Sequence, residues 1–391
     1  MRPMEGMRVI ALEHAVAAPL CTRHLADLGA DVIKIERPGE GDFARAYDDY
    51  VNGMCSHFIW LNRGKRSVTL DIKHPDARAA LDALVRDADV LIQNLAPGAA
   101  ARVGLTWEAL KPVNPKLVVC DISGYGESGP FVQKKAYDLL IQAESGLISV
   151  TGSEAEPSRV GISIADISTG MYALTGILSA LLRRSRTGEG GNVKVAMLDA
   201  LGEWMTYPML RHAYAGSAPP RMPTSHPAIA PYGAHRTKDG QVILGLQNER
   251  EWATFCAKVL GRPEIQTDPR FATQPMRRQN REALTALIED FFSTMTSEDV
   301  AALLDEAGIA NGRLNQPIDV WNHVQFEARD RWREINTPAG PVRTLLPPAT
   351  FTDQEAAMGD VPAIGQHTDA VLAEIGLPPA RIAAMRAAGA I

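Results

Sequence analysis

The chain has 391 residues and a mass of 42.3 kDa, more than one small domain usually holds, so two domains are expected. Its 46% hydrophobic and 22% charged residues give the profile of a globular protein that buries a core without disulfide or metal staples. With Lys+Arg 40 against Asp+Glu 46, the net charge of -6 gives no overall electrostatic drive toward nucleic acid or an anionic membrane, and neither is expected as a partner.

The elements follow in chain order. RVIALE (8–13) is an apolar, β-branched run that predicts a buried strand. A helix is expected from Pro19 to Leu28, stopped by Gly29, and a second strand at Asp31–Glu36. Strand, helix and strand in this order form a βαβ unit, which implies a parallel sheet. The pattern repeats with a strand at Ser67–Asp71, a helix at Pro75–Ala88, and strands at Val90–Gln93 and Leu117–Ile122. The first half therefore reads as doubly wound α/β. Tyr172–Arg184 is apolar almost all round and predicts a buried helix, followed by a Gly-rich turn and a strand at Asn192–Met197. The Pro- and Ser-rich stretch 216–233 reads as a linker or active-site loop. A strand at Gly240–Leu246 and helical periodicity over 248–308, capped at Thr296, predict a second, smaller domain. Residues 330–365 are broken by prolines, and Asp369–Ile375 and Pro379–Ala388 read as closing helices.

No apolar run reaches the ~20 residues that span a bilayer. The opening MRPMEGMRVIALEHA has no signal-peptide core. Cys21, Cys55, Cys120 and Cys256 are scattered and the histidines show no metal spacing, so no metal site is expected and a cytoplasmic location is. G-x-G-x-x-G after the first strand, a P-loop, H-E-x-x-H and G-x-S-x-G are all missing. The chemistry must then rest on single polar residues. Arg37 follows a strand, and Arg63, Lys65 and Arg66 crowd the stretch before another, where cations suit a phosphate ligand. Asn94, Leu95 and Arg102 follow a third strand. Asp166, in GISIADISTG, is either a helix N-cap or a nucleophile at a helix start; its spacing does not decide.

Six segments in order carry a resemblance: LADLGADVIKIERPGEGD (25–42), LNRGKRSVTLDIKHP (61–75), ADVLIQNLAPGAAARVGL (88–105), SGYGESGP (123–130), AYDLLIQAESGLISVTG (136–152) and the Asp166 segment. Together they resemble the class III CoA-transferases, the formyl-CoA transferase-like family that also includes the α-methylacyl-CoA racemases. The resemblance implies that Asp166 is the catalytic aspartate, which attacks an acyl-CoA thioester and passes through a mixed anhydride and an aspartyl-CoA thioester. It implies CoA contacts at Arg37, Asn94, Leu95, Arg102 and Lys135, with Arg63, Lys65 and Arg66 as further phosphate candidates. The CoA thioester is then a substrate, and no permanently bound cofactor is expected. N–H groups of the helix start are expected to stabilise the tetrahedral intermediates.

The racemases of the family carry a histidine where this chain has Tyr137, and a phenol near pKa ~10 is a poor base at neutrality. That favours the transferase over the two alternatives, a thioester-enolising racemase and a non-catalytic CoA-binding protein. Two positions depart from formyl-CoA transferases: Val16 stands for their glutamine, and Thr224–Gly233, with His226, for their glycine-rich lid. The loops are closer to the branch that acts on C4–C6 dicarboxylic acids such as mesaconate, itaconate, citramalate, malate and glutarate, often with succinyl-CoA as donor. A distal carboxylate needs a cation, and Arg45, Arg211, Arg221 and Arg250 are the candidates. The implied architecture is a doubly wound parallel-sheet large domain (1–215, completed by 335–391) and a smaller α+β domain (225–325) in an interlocked homodimer. Stretches 216–233 and 335–348 are expected as the crossings between domains.

Overall fold

The computed structural model describes all residues, 1–391. The chain divides into two compact units: the first takes residues 1–147, 160–207 and 328–391, the second 148–159 and 208–327.

The first unit is built on six strands, β1 (Arg8–Leu12), β2 (Asp31–Glu36), β3 (Lys65–Thr69), β4 (Val90–Gln93), β5 (Val118–Ser123) and β6 (Gly191–Ala196). All pair in parallel, in the order β3-β2-β1-β4-β5-β6. Side chains alternate across the pleat, and both faces are apolar. Ile10, Leu12, Ile33, Ile35, Leu91 and Val119 point to one face, where helix α3 (Pro75–Arg86) and the C-terminal helices Thr368–Glu374 and Pro379–Ala387 cover them. Val9, Ala11, Val32, Val90, Ile92 and Cys120 point to the other, under helix α1 (Ala17–Asp27) and the long helix Ile164–Thr187. That long helix is apolar and long enough to cross a membrane by composition, yet here Ala173, Leu174, Ile177 and Leu181 pack into the core. It crosses α1 closely at Gly170, where an added Cβ would lie 2.6 Å from the Ala17 carbonyl oxygen.

Three expectations shift. Strand β3 starts at Lys65, two residues before the expected Ser67, because Lys65 and Arg66 pair with Val32 and Ile33 of β2. The buried helix, expected from Tyr172, starts at Ile164, so Asp166 lies within its first turn. Stretch 335–348, expected as a crossing between domains, belongs to an antiparallel hairpin of the first unit, with Ile335 packed against Phe58 and Val361.

The second unit holds an antiparallel sheet of Tyr232–Arg236, Gln241–Gly245 and Asn311–Arg313 with helices around Trp252, Phe255, Phe271, Ile288, Phe292 and Leu304. The cap at Thr296 closes as a capping box with Asp299. The expected small domain at 225–325 falls inside this unit, which starts earlier at Pro208 and takes in residues 148–159. Arg221 ties those two pieces together by donating to the carbonyl oxygens of Ser153 and Glu154, each at 2.7 Å.

Candidate active site

In an open parallel sheet, ligands settle outside the carboxyl ends of the strands where the strand order reverses. Here the reversal lies between β1 and β4. The helix Ile164–Thr187 leads into β6, so it runs back against the strand direction and starts at that carboxyl edge. Asp166 is in its first turn.

The helix has no cap from its own N-terminal Ser163. Asp138, first residue of the helix Asp138–Glu144, supplies it: Oδ1 accepts the N–H groups of Ala165 at 2.8 Å and Asp166 at 3.3 Å. The fully buried Gln142 holds Asp138 in turn. Its Nε2 donates to Asp138 Oδ2 at 2.7 Å, and its Oε1 accepts the Val160 N–H at 2.9 Å. This corrects the expectation that helix-start N–H groups serve a tetrahedral intermediate, since two of them are committed to Asp138.

Half-buried, Asp166 has its pKa raised from 3.8 to about 7, by burial first and by the Asp138 charge second. Val16, buried at the start of α1, packs with Leu20, Leu61 and Ile167, so this position forms an apolar wall beside the Asp166 turn. Tyr47 lies within electrostatic reach of Asp166 and Tyr137. Its phenol is pushed up to about 12 by burial, then by Asp42, Asp166 and its other neighbours, so it stays protonated as a donor. Tyr137 is the N-cap residue of the helix Asp138–Glu144 and is 66% exposed.

The Asp166–Asp138 pair gives a pH prediction. For a reaction that needs Asp166 ionised, kcat/KM of the free enzyme is expected to fall about tenfold per pH unit below pH 7. Asp138→Asn removes the like charge and keeps an oxygen for the two N–H groups. The acid limb then moves to lower pH by about half to one unit, measured from the pH profile of kcat/KM. A limb that stays in place means that another group sets it.

The CoA candidates divide. Arg37, Asn94, Leu95 and Arg102 follow the carboxyl ends of β2 and β4. Arg37 is exposed and lies within electrostatic reach of His14 in the loop after β1. Asn94 pins that loop, accepting the His14 N–H and donating to the His14 carbonyl oxygen, each at 2.9 Å. Leu95 packs on the core, while Arg102 and Lys135 are exposed.

Arg63, Lys65 and Arg66 sit before the amino end of β3 or within the strand, and internal carboxylates engage all three. Arg63, 1% exposed, binds both oxygens of Asp27 at 2.9 and 2.7 Å. Lys65, 3% exposed, donates to Glu13 at 2.7 Å, and Arg66 bridges Asp31 and Glu374. Burial and these partners leave no open face of Arg63 or Lys65 for a phosphate.

Among the carboxylate candidates, Arg45 is committed to Glu36 at 2.9 and 2.8 Å and stacks 3.7 Å over the Phe58 ring. Arg221 serves backbone carbonyls, as described above. Arg211 is half-buried and Arg250 exposed, and neither takes part in an ion pair. His226 stacks on Tyr232 at 5.3 Å, and its Nδ1 accepts the Ala228 N–H. Sequence reasoning missed Tyr47 and the capping role of Asp138 and Gln142. The only signal for the latter was the i, i+4 spacing of Asp138 and Gln142 in DLLIQ.

A half-buried carboxylate with a raised pKa thus stands in the first turn of a helix that starts at the carboxyl edge of a doubly wound parallel sheet. The comparisons identify the family. Residues 4–368 match the model of CoA-transferase family III, and the chain belongs to that family; it is a CoA-transferase. It is 33% identical to the succinyl-CoA:glutarate CoA-transferase of Mus musculus, over 96% of this chain and 87% of that one. It is 34% identical to the acetyl-CoA:oxalate CoA-transferase of Acetobacter aceti, over 97% of each chain. The crystal structure of a CAIB/BAIF family protein from Brucella suis superposes with a TM-score of 0.85 at 36% identity, covering 96% of this chain and 99% of that one.

Proposed function

We propose that this enzyme moves CoA from succinyl-CoA to a C4–C6 dicarboxylic acid, with Asp166 as the covalent nucleophile. A carboxylate oxygen of Asp166 attacks the thioester carbon, the C–S bond breaks, and a mixed anhydride and CoA thiolate result. The thiolate attacks the Asp166 carbonyl carbon and expels the donor acid, leaving an aspartyl-CoA thioester. The acceptor carboxylate attacks that thioester and releases the thiolate again. The thiolate then takes the acceptor's acyl carbon, which frees Asp166. Activation is conserved throughout, so no ATP enters.

The observation that carries this reading is the environment of Asp166. A carboxylate with a pKa of about 7 is more basic, and so more nucleophilic, than one near 3.8, and it is still about half ionised at neutrality. The named relatives support a dicarboxylate acceptor, since glutarate and oxalate are both dicarboxylic acids. Tyr137 in place of the racemase histidine supports transfer over racemisation. The test is incubation with succinyl-CoA and a pool of free dicarboxylic acids in D₂O, read by mass spectrometry. A new dicarboxyl-CoA without α-deuterium, lost with Asp166→Ala, is the expected result. Deuterium without acyl exchange would move the enzyme to the racemase chemistry.

The acceptor's second carboxylate calls for a cation, and Arg211 and Arg250 remain after Arg45 and Arg221 find other partners. Arg→Met at the correct one raises KM for the dicarboxylate about 10–100-fold and leaves KM for acyl-CoA within about twofold. If neither substitution does so, the distal-carboxylate reading fails. We further propose a homodimer, interlocked as the family resemblance implies. Large apolar side chains stay exposed on one chain, including Leu139, Leu140, Leu182, Trp204 and Tyr207. Light scattering on serially diluted protein tests it, and a folded, active monomer would end the idea.

A further inference from the structure

A second cluster of chemistry-bearing side chains lies in the first unit, in the segment that follows Tyr47. Asn52 and Gly53 both take left-handed backbone angles, φ 55° and 84°, and the Val51–Met54 bridge closes a tight turn around them. The turn brings Asp48 back beside Cys55 and His57, at the start of helix α2 (Ser56–Asn62). Their donor atoms, one sulfur, one nitrogen and one carboxylate oxygen, all lie within 4.8 Å of one another.

We propose that Asp48, Cys55 and His57 bind one divalent transition-metal ion of the zinc class, with water as the fourth ligand. The spacing suits it. Tetrahedral zinc, with Zn–S of about 2.3 Å and Zn–N and Zn–O of about 2.0–2.2 Å, separates a sulfur and an oxygen ligand by about 3.6 Å, and a nitrogen and an oxygen by about 3.4 Å. Cys55 Sγ is 3.5 Å from Asp48 Oδ2, and His57 Nδ1 is 3.6 Å from the same oxygen. His57 Nδ1 is buried and makes no hydrogen bond, so its lone pair is uncommitted when the ring proton is on Nε2.

The surroundings are pre-arranged. Asp48 Oδ1 accepts the N–H groups of Ser56 at 2.8 Å and Tyr50 at 3.2 Å, and Oδ2 accepts the Ser56 hydroxyl at 2.8 Å. These bonds orient the carboxylate as the outer shell of a metal site does. Charge also balances. On binding, the Cys55 S–H bond breaks, the proton leaves to solvent, and the new thiolate with the Asp48 carboxylate neutralises the divalent ion. That matters for Cys55, which is 1% exposed. The His57 ring meets Tyr47 edge-on at 6.0 Å, so an ion here would fix the segment that carries Tyr47. Neither spacing rules nor CxxC patterns reveal the cluster, because the Asp arrives through the turn.

The test uses the full chain, stripped with a chelator under reducing conditions and titrated with Co²⁺ alone, then with Zn²⁺. One Co²⁺ per chain with a thiolate-to-cobalt charge-transfer band, displaced by Zn²⁺, is expected. Cys55→Ser abolishes the band, and His57→Gln weakens Zn²⁺ binding at least about 100-fold, with circular dichroism confirming the fold. Zinc-edge X-ray absorption on the unaltered protein reads one sulfur per metal and needs no variant. No thiolate band in the unaltered protein, a band that survives Cys55→Ser, or a metal shell without sulfur overturns the proposal.

Discussion

Asp166→Asn lowers transferase turnover by at least about 10⁴-fold, the scale on which removing a covalent nucleophile acts. The amide keeps the shape of the side chain, so acyl-CoA binding stays within a few-fold of the original. Mass spectrometry of the original enzyme, quenched with succinyl-CoA and no acceptor, finds a CoA adduct on the peptide that contains Asp166; the variant has none. The same substitution raises stability near pH 8. In the unfolded chain this carboxyl titrates near 3.8, while in the folded protein burial and Asp138 hold it at about 7. The folded state keeps the proton to higher pH, so the penalty is absent below the unfolded pKa. It grows as pH rises between the two values and is complete above pH 7. Such a shift corresponds to roughly 2–4 kcal/mol, and the neutral amide escapes it. Urea unfolding of both proteins at pH 4 and pH 8 reads the difference, which is present at pH 8 and nearly absent at pH 4. Full activity in the variant would remove Asp166 from the chemistry.

Lys65→Met destabilises the protein by about 3–5 kcal/mol, as breaking a buried ion pair does. The Lys65 ammonium donates to Glu13 at 2.7 Å, the Pro19 carbonyl oxygen at 3.0 Å and Asn62 at 3.0 Å, all out of solvent. Methionine fills the volume of the stem but leaves Glu13 with only Lys34, at 3.3 Å, and Thr22. The effect reaches the active-site edge. Glu13 and Asp42 share Lys34, and Asp42 Oδ1 accepts the N–H of Ala15 at 3.2 Å. Ala15 has φ 61°, a left-handed angle that costs a non-glycine residue about 1–2 kcal/mol. The network thus holds the β1 exit loop in a conformation the loop would not keep alone. The urea midpoint falls, while KM for acyl-CoA in the folded fraction stays within about threefold. An unchanged midpoint with a tenfold rise in that KM would return Lys65 to the CoA phosphates.

The sheet was legible because its signals are local. Short runs such as RVIAL and VLIQ, rich in β-branched and apolar residues, read as buried strands, and the short helical stretches between them leave few topologies. Asp166 stands out by its place in an ordered set of motifs. Edges were harder to read: Lys65 and Arg66 read as loop because charged residues rarely enter a buried strand, yet carboxylates from elsewhere neutralise them.

The sequence by itself determined the α/β class, the order of strands and helices, and the family. The tertiary structure alone decided which charges remain open to a ligand. Arg63 meets Asp27 from 36 positions away, Lys65 meets Glu13 from 52, and Asp138 caps a helix 27 positions on. The reason is physical. Strand and helix periodicities are set by neighbours a few residues apart, whereas the partner of a buried charge is set by sheet register and helix crossing. In a low-dielectric interior that partner determines whether an arginine or lysine binds substrate or holds the fold together.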